Sequence, residues 1–166
     1  MGFLKKLFGK SDNSSVNETE VHLSKDVGVP YNNDLIKTLR KDHQELIDEF
    51  GKIVKAAQNK KYKTLKQYLK TFKVNLEIHN YSEKIQLYIY LLNLYKGTDN
   101  EEFISDMAKS AEEIYQDVFT FLKKYENIEF NDQYLGLFRK ELEAIGKILQ
   151  SRIEVEESEL YTLYKK

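Results

Sequence analysis

From Leu35 onward, apolar side chains return at every third or fourth position, the spacing that lines one face of an α-helix. The first stripe runs Leu35, Ile36, Leu39, Leu46, Ile47, Phe50 and Val54. Asn33 stands where a capping side chain would accept a hydrogen bond from a free backbone N–H, and Asp34 brings negative charge to the helix start. After "QNKK", a second stripe of Leu65, Leu69, Phe72, Leu76 and Leu87 predicts one helix from about Tyr62 to Tyr95. "KGTDN" ends it with Gly97 and offers Thr98, Asp99 or Asn100 as the next cap. The third stripe is Phe103, Met107, Ala111, Ile114, Val118, Leu122 and Tyr125. "NIEFND" then leads to a fourth, with Tyr134, Phe138, Leu142, Ile145 and Leu149 on one face. No alternating strand pattern competes. Four amphipathic helices with short connections predict an all-α, antiparallel up-down four-helix bundle over residues 31–166.

Upstream the pattern changes. Residues 1–10, "MGFLKKLFGK", set Phe3, Leu4, Leu7 and Phe8 against Lys5, Lys6 and Lys10. At helical spacing this would be a short basic amphipathic element, able to make weak, reversible contact with an anionic membrane surface, and it reads equally as a frayed terminus that folds against nothing. The N-myristoylation pattern is not met, because Lys6 occupies the position that needs Ser or Thr. Residues 11–30 are polar, rich in Ser, Asn and acids, and end at the only proline, Pro30. That is the composition of a flexible linker, and it places His22 away from any core.

Composition narrows the function classes. A chain of 166 residues is long enough for one core, and the absence of cysteine excludes disulfides, thiolate metal sites and cysteine nucleophiles. Lys+Arg 26 against Asp+Glu 27 leaves no net field to drive binding to nucleic acid. No apolar run reaches membrane-spanning length and no signal peptide is visible, so a cytoplasmic location is expected, at most peripheral at the inner membrane face. There is no glycine-rich phosphate loop and no Ser/His/Asp arrangement, and catalysis is not expected.

The informative residues are the polar ones on apolar stripes. His43 lies between Leu39 and Leu46; His79 and Glu83 interrupt the second stripe; Arg152 and Glu156 extend the fourth. "LEIHNYSEKIQLYIYL", residues 76–91, is echoed by "LQSRIEVEESELYTLY", residues 149–164. Glu83 answers to Glu156, Leu87 to Leu160 and Tyr88 to Tyr161, whereas His79 meets Arg152 and His43 meets Ala111. Two αα-hairpins related by a pseudo-two-fold would aim these positions into one cavity, where bundles place their metal sites. Singly, each histidine also reads as a core residue bonded to a carboxylate or carbonyl. Jointly with Glu83 and Glu156 they read as a metal-ligand set. Tyr88, Tyr90, Tyr95, Tyr161 and Tyr164 cluster near the ends of helices two and four, and read as packing residues whose hydroxyls reach solvent.

"LIKTLRKDHQELIDEFGKI", "FKVNLEIHNYSEKIQLY" and "LEAIGKILQSRIEVEESELYTLY" together resemble the hemerythrin-like, or HHE cation-binding, domain over about residues 31–165. The resemblance implies a pair of iron ions held by histidines from all four helices and bridged by carboxylates of the second and fourth. Carried over, His43 is the first-helix ligand, His79 and Glu83 are the second-helix pair, and Glu156 is the fourth-helix carboxylate. The two other histidines are missing: Ala111 and Arg152 stand in their places. A guanidinium offers only donors and stays charged, so Arg152 would repel a metal. It suits the opposite design, donating to Glu83, Glu156 or both. No full diiron site is therefore expected; the arginine takes the place of metal, with one weakly held ion at His43, His79, Glu83 and Glu156 as the alternative. The resemblance then implies a binding, sensing or regulatory module, with iron or oxygen binding as an alternative. "AIGKILQSRIEVEESEL" also resembles the last helix of the regulator of sigma D family, small bacterial bundles, through Ile145, Gly146, Leu149, Arg152 and Glu156. That resemblance implies a metal-free anti-sigma protein whose partner is the RNA polymerase sigma subunit; a signalling protein is the other partner to expect.

Overall fold

The first apolar stripe winds into α1 (Leu35–Gln58), which buries Leu35, Leu39, His43, Leu46 and Ile53 along one face. The structure, a computed structural model, describes residues 28–166. The basic amphipathic stretch 1–10, His22 and nearly all of the linker lie outside the described residues. Asn33 does not cap α1. Asp34 is the capping residue and makes no side-chain cap bond; its own N–H donates to Asn32 Oδ1 at 3.0 Å. Asn32 N–H in turn donates to the Tyr164 hydroxyl at 2.9 Å, so the start of α1 is tied to the end of the chain. At the far end, Arg139 donates to the carbonyls of Ala57 at 2.6 Å and Gln58 at 3.2 Å, meeting acceptors that a helix C-terminus leaves open.

The second stripe makes a rod, but not one uniform helix. α2 (Tyr62–Ser82) passes into a π-helical turn, Glu83–Tyr88, and then into α3 (Ile89–Leu94). Residues five apart stand about 140° apart on an α-helix; the wider π turn brings Glu83 and Tyr88 both inside, with Leu87 beside them. Such turns concentrate at functional sites. Gly97, at φ 76°, lets the chain reverse without the steric cost a side chain would meet there. α4 (Asn100–Glu126) follows Asp99, which makes no side-chain cap bond; the nearby Glu101 carboxylate accepts from Gly97 N–H at 2.7 Å. α5 (Asp132–Ser158) has a true cap, Asn131, extended in backbone and accepting from Tyr134 N–H at 3.1 Å. A 3₁₀ turn, Leu160–Leu163, closes the fold. Replacing the cap, Asn131→Ala, is expected to lower unfolding stability by about 1 kcal/mol in urea denaturation; an unchanged midpoint would show that the cap bond contributes nothing.

α1 packs on α2, α2 on α4, α4 on α5, and α5 back on α1, the ring order of an up-down bundle. Among the described residues no helix is long and apolar enough to cross a membrane. The core comes in two parts. Ile53, Leu65, Phe72, Leu122, Tyr125 and Phe138 fill one end of the bundle. Leu39, Leu87, Leu91, Ile104, Leu160 and Tyr161 fill the other. Between them lies a buried polar layer, and four apolar stripes converge on it from both sides.

Candidate metal centre

His43 on α1, His79 in the last turn of α2, Glu83 at the head of the π turn and Glu156 near the end of α5 are all buried. Each offers one ligand atom, and these atoms lie within 4.8 Å of one another. The four residues singled out from the sequence do converge on one point. Burying such groups is costly unless each finds a partner, and most do. His43 Nδ1 is 2.9 Å from Glu157 Oε1, while its Nε2 is 3.3 Å from Glu156 Oε2 and 3.2 Å from the Tyr161 hydroxyl. His79 Nε2 approaches Glu83 Oε2 at 3.8 Å, and its Nδ1 faces Asp42 Oδ2 at 3.8 Å without a hydrogen bond. Both rings thus turn Nε2 inward and keep a carboxylate behind Nδ1. For His43 the Glu157 bond fixes the imidazole's orientation, as the acid behind a metal-ligating histidine does; for His79 the acid is near but not bonded. Arg40 holds Glu157 in place, donating also to its backbone carbonyl at 3.0 Å.

Arg152 lies in the same layer, buried, not turned to water. Its Nε donates to Glu156 and its Nη2 to the Tyr88 hydroxyl; Nη1 meets only Met107 Sδ at 3.5 Å. Of the two carboxylates it was expected to reach, it takes Glu156 and leaves Glu83 to Tyr161, whose hydroxyl donates to Glu83 Oε1 at 2.7 Å. The repeat therefore closes as a cross: the tyrosine of each hairpin serves the polar residue of the other. This corrects the reading of the tyrosine hydroxyls as solvent-facing. Tyr88 and Tyr161 act inside the layer, and Tyr90 and Tyr95 donate to the carbonyls of Lys165 at 2.7 Å and Leu163 at 3.0 Å. Together with Tyr164 they pin the C-terminal tail.

The charges follow from this geometry. Burial, reinforced by the neighbouring Glu156, pushes Glu83 well above the usual carboxylate range. Glu156 is equally buried, yet the His43 hydrogen bond and the Arg152 charge overcome desolvation and hold it below that range. Desolvation, with the positive charges of His43 and Arg152, lowers His79 to about 4 and keeps it a neutral imidazole, the form that binds metal. For His43, desolvation pulls the other way but is outweighed by the bonds to Glu156 and Glu157, so its pKa rises.

Two imidazoles and two carboxylates within reach of each other are a donor set suited to one divalent transition-metal ion. They do not suit two. Across the layer stand a guanidinium that only donates, a thioether and the methyl group of Ala111. Glu157 and Asp42 belong to the centre and were not recognised from the sequence; Tyr88 and Tyr161, paired in the repeat, were assigned to packing. Each sits beside or in register with a residue that was, which is the signal available: Asp42 precedes His43, Glu157 follows Glu156, and the tyrosines are equivalent in the repeat.

Residues 34–164 match the family model of the hemerythrin HHE cation-binding domain. The match takes in both hairpins. No curated protein and no solved structure matches the chain.

Proposed function

The chain belongs to the hemerythrin HHE cation-binding domain family, and from that premise we propose a non-catalytic binding or sensing module that holds one divalent ion, with Arg152 standing in for a second. The orientation of the two histidines carries this reading. Nε2 points into the cluster on both, and each Nδ1 is backed by a carboxylate, at 2.9 Å for His43 and 3.8 Å for His79. A carboxylate behind Nδ1 with Nε2 turned inward is the arrangement that metal-ligating histidines adopt.

His43, His79, Glu83 and Glu156 would hold the ion, which supplies a positive charge shared by carboxylates from two rods. Arg152 supplies the other positive charge permanently, through Glu156. Tyr161 keeps Glu83 oriented, and Arg40 keeps Glu157 against His43. Oxygen carriage by a metal pair lacks a place for its second ion. What a single ion can do is tie α1, the second rod and α5 together, so that occupancy is read as rigidity. An ion that binds only the folded chain raises stability in proportion to the logarithm of its concentration.

Elemental analysis tests the stoichiometry. Protein purified without chelator from iron-supplemented cells is expected to carry at most one transition-metal ion per chain; two irons per chain overturn the reading. Glu157→Ala, which removes the carboxylate behind His43, is expected to weaken zinc binding by about 10–100-fold in calorimetric titration. Unchanged affinity would make Glu157 a surface acid with no part in the centre.

A further inference from the structure

On one side of the polar layer the packing between α1 and α5 opens into a cleft of about 910 Å³. Protein interiors pack as densely as organic crystals and leave few voids larger than a water molecule. A cleft of this size falls within the roughly 300–1,000 Å³ typical of small-molecule pockets. Its walls are mostly apolar, with Leu46, Phe72, Val118 and Leu142 among them. His43 and Ala57 both line it, which along α1 is a span of about 21 Å. Two small residues shape it. A Cβ at Gly146 would stand 2.9 Å from the Phe50 ring, so glycine lets the edge of that ring approach α5 closely as a wall. Ala111, where a larger side chain would fill the passage, leaves the cleft continuous with the polar layer.

The inner end decides the chemistry. Arg152 lines it, and its Nη1 has no oxygen acceptor among the described residues, only the weakly accepting Met107 Sδ at 3.5 Å. A buried guanidinium N–H without an oxygen partner favours a ligand that brings one. The charge count gives an anion no advantage: Arg139, Lys147 and Arg152 stand against Glu83, Glu143, Glu154 and Glu156 along the cleft, Lys147 is already paired with Glu143 at 2.7 Å, and Arg139 already donates to the carbonyls of Ala57 and Gln58. No surplus positive charge waits for a second negative one.

We propose that this cleft binds an uncharged, mostly apolar molecule bearing a hydroxyl or carbonyl at one end, with that oxygen accepting from Arg152 and the apolar chain lying between α1 and α5. The assignment stands on the cleft and on Arg152, and is tested in chelated protein, so it does not fall with the single-ion reading.

The full chain in EDTA at pH 8 is titrated with the uncharged fluorophore N-phenyl-1-naphthylamine, which is then displaced with decan-1-ol or with decanoate. The expected result is saturable binding of one probe per chain, with decan-1-ol displacing it at a concentration at least tenfold below decanoate. Ala111→Phe is expected to weaken probe binding at least tenfold with helix content unchanged in circular dichroism. Ile114→Trp, lower in the same wall, serves if the first variant does not fold. Absence of saturable binding, equal displacement by decanoate, or full binding by both filled variants overturns the proposal. So does probe binding that emerges only when Phe3, Leu4, Leu7 and Phe8 are all changed to serine, since the occupant is then the chain's own first ten residues.

Discussion

Arg152→Met, in metal-free protein, is expected to lose about 3–5 kcal/mol of unfolding stability, the usual cost of removing one partner from a buried ion pair. The guanidinium is the only permanent cation in the polar layer, and it bonds both Glu156 and the Tyr88 hydroxyl. Without it, Glu156 keeps the His43 hydrogen bond but loses the positive charge that helps hold it ionised, and Glu83, already raised by burial and by that neighbour, loses the same charge. Methionine fills most of the volume, so the loss reports charge more than cavity. Two additions make the measurement diagnostic. Zinc at about 100 times its dissociation constant should return roughly 2.7 kcal/mol to the variant, because the ion can neutralise the same carboxylates. Adding Glu156→Leu to Arg152→Met should also recover much of the loss, since a buried pair replaced whole by apolar groups is often neutral. Urea denaturation in EDTA and in zinc measures all three. If Arg152→Met alone is as stable as the parent in EDTA, the guanidinium is not what holds the layer together.

The bundle and its centre were unevenly legible in the sequence, for physical reasons. Helical periodicity is local, and Leu39, Leu46, Leu76, Phe138 and Leu142 could each be placed on a buried face from spacing alone. The polar interruptions were equally local: His43, His79, Glu83, Arg152 and Glu156 broke apolar stripes and therefore had to be inside. The π turn was not legible. It changes the rise and rotation of six residues, Glu83–Tyr88, without changing the hydrophobic character of any, and so Tyr88 was assigned to packing. Tyr161 lies past the end of α5 in the 3₁₀ turn, where no periodicity applies. Asp42 and Glu157 are acids next to buried polar residues; nothing in composition separates such an acid from a solvated one. The cleft escaped for another reason. Phe50, Val54 and Ile114 carry the right spacing for a core and do pack against it, and only the fit of the helices shows that they also line a space.

The paired substitution Ala111→His with Arg152→His is expected to raise metal content from one ion per chain to two. The two positions, on α4 and α5, both line the cleft that reaches Glu83 and Glu156. Histidine at position 152 removes a charge that no pH in the working range can remove, and offers a nitrogen lone pair in place of three donor nitrogens. It also releases Glu156, whose carboxylate can then serve two ions, as Glu83 can from the opposite rod. Neither change suffices alone. Ala111→His leaves the guanidinium in place to repel an ion, and Arg152→His leaves the new site with one imidazole where the first has two. Native mass spectrometry after zinc saturation should therefore give one ion for the parent, one for each single variant and two for the pair. A folded double variant that still binds one ion would mean that the arginine follows the loss of the second site for reasons other than charge.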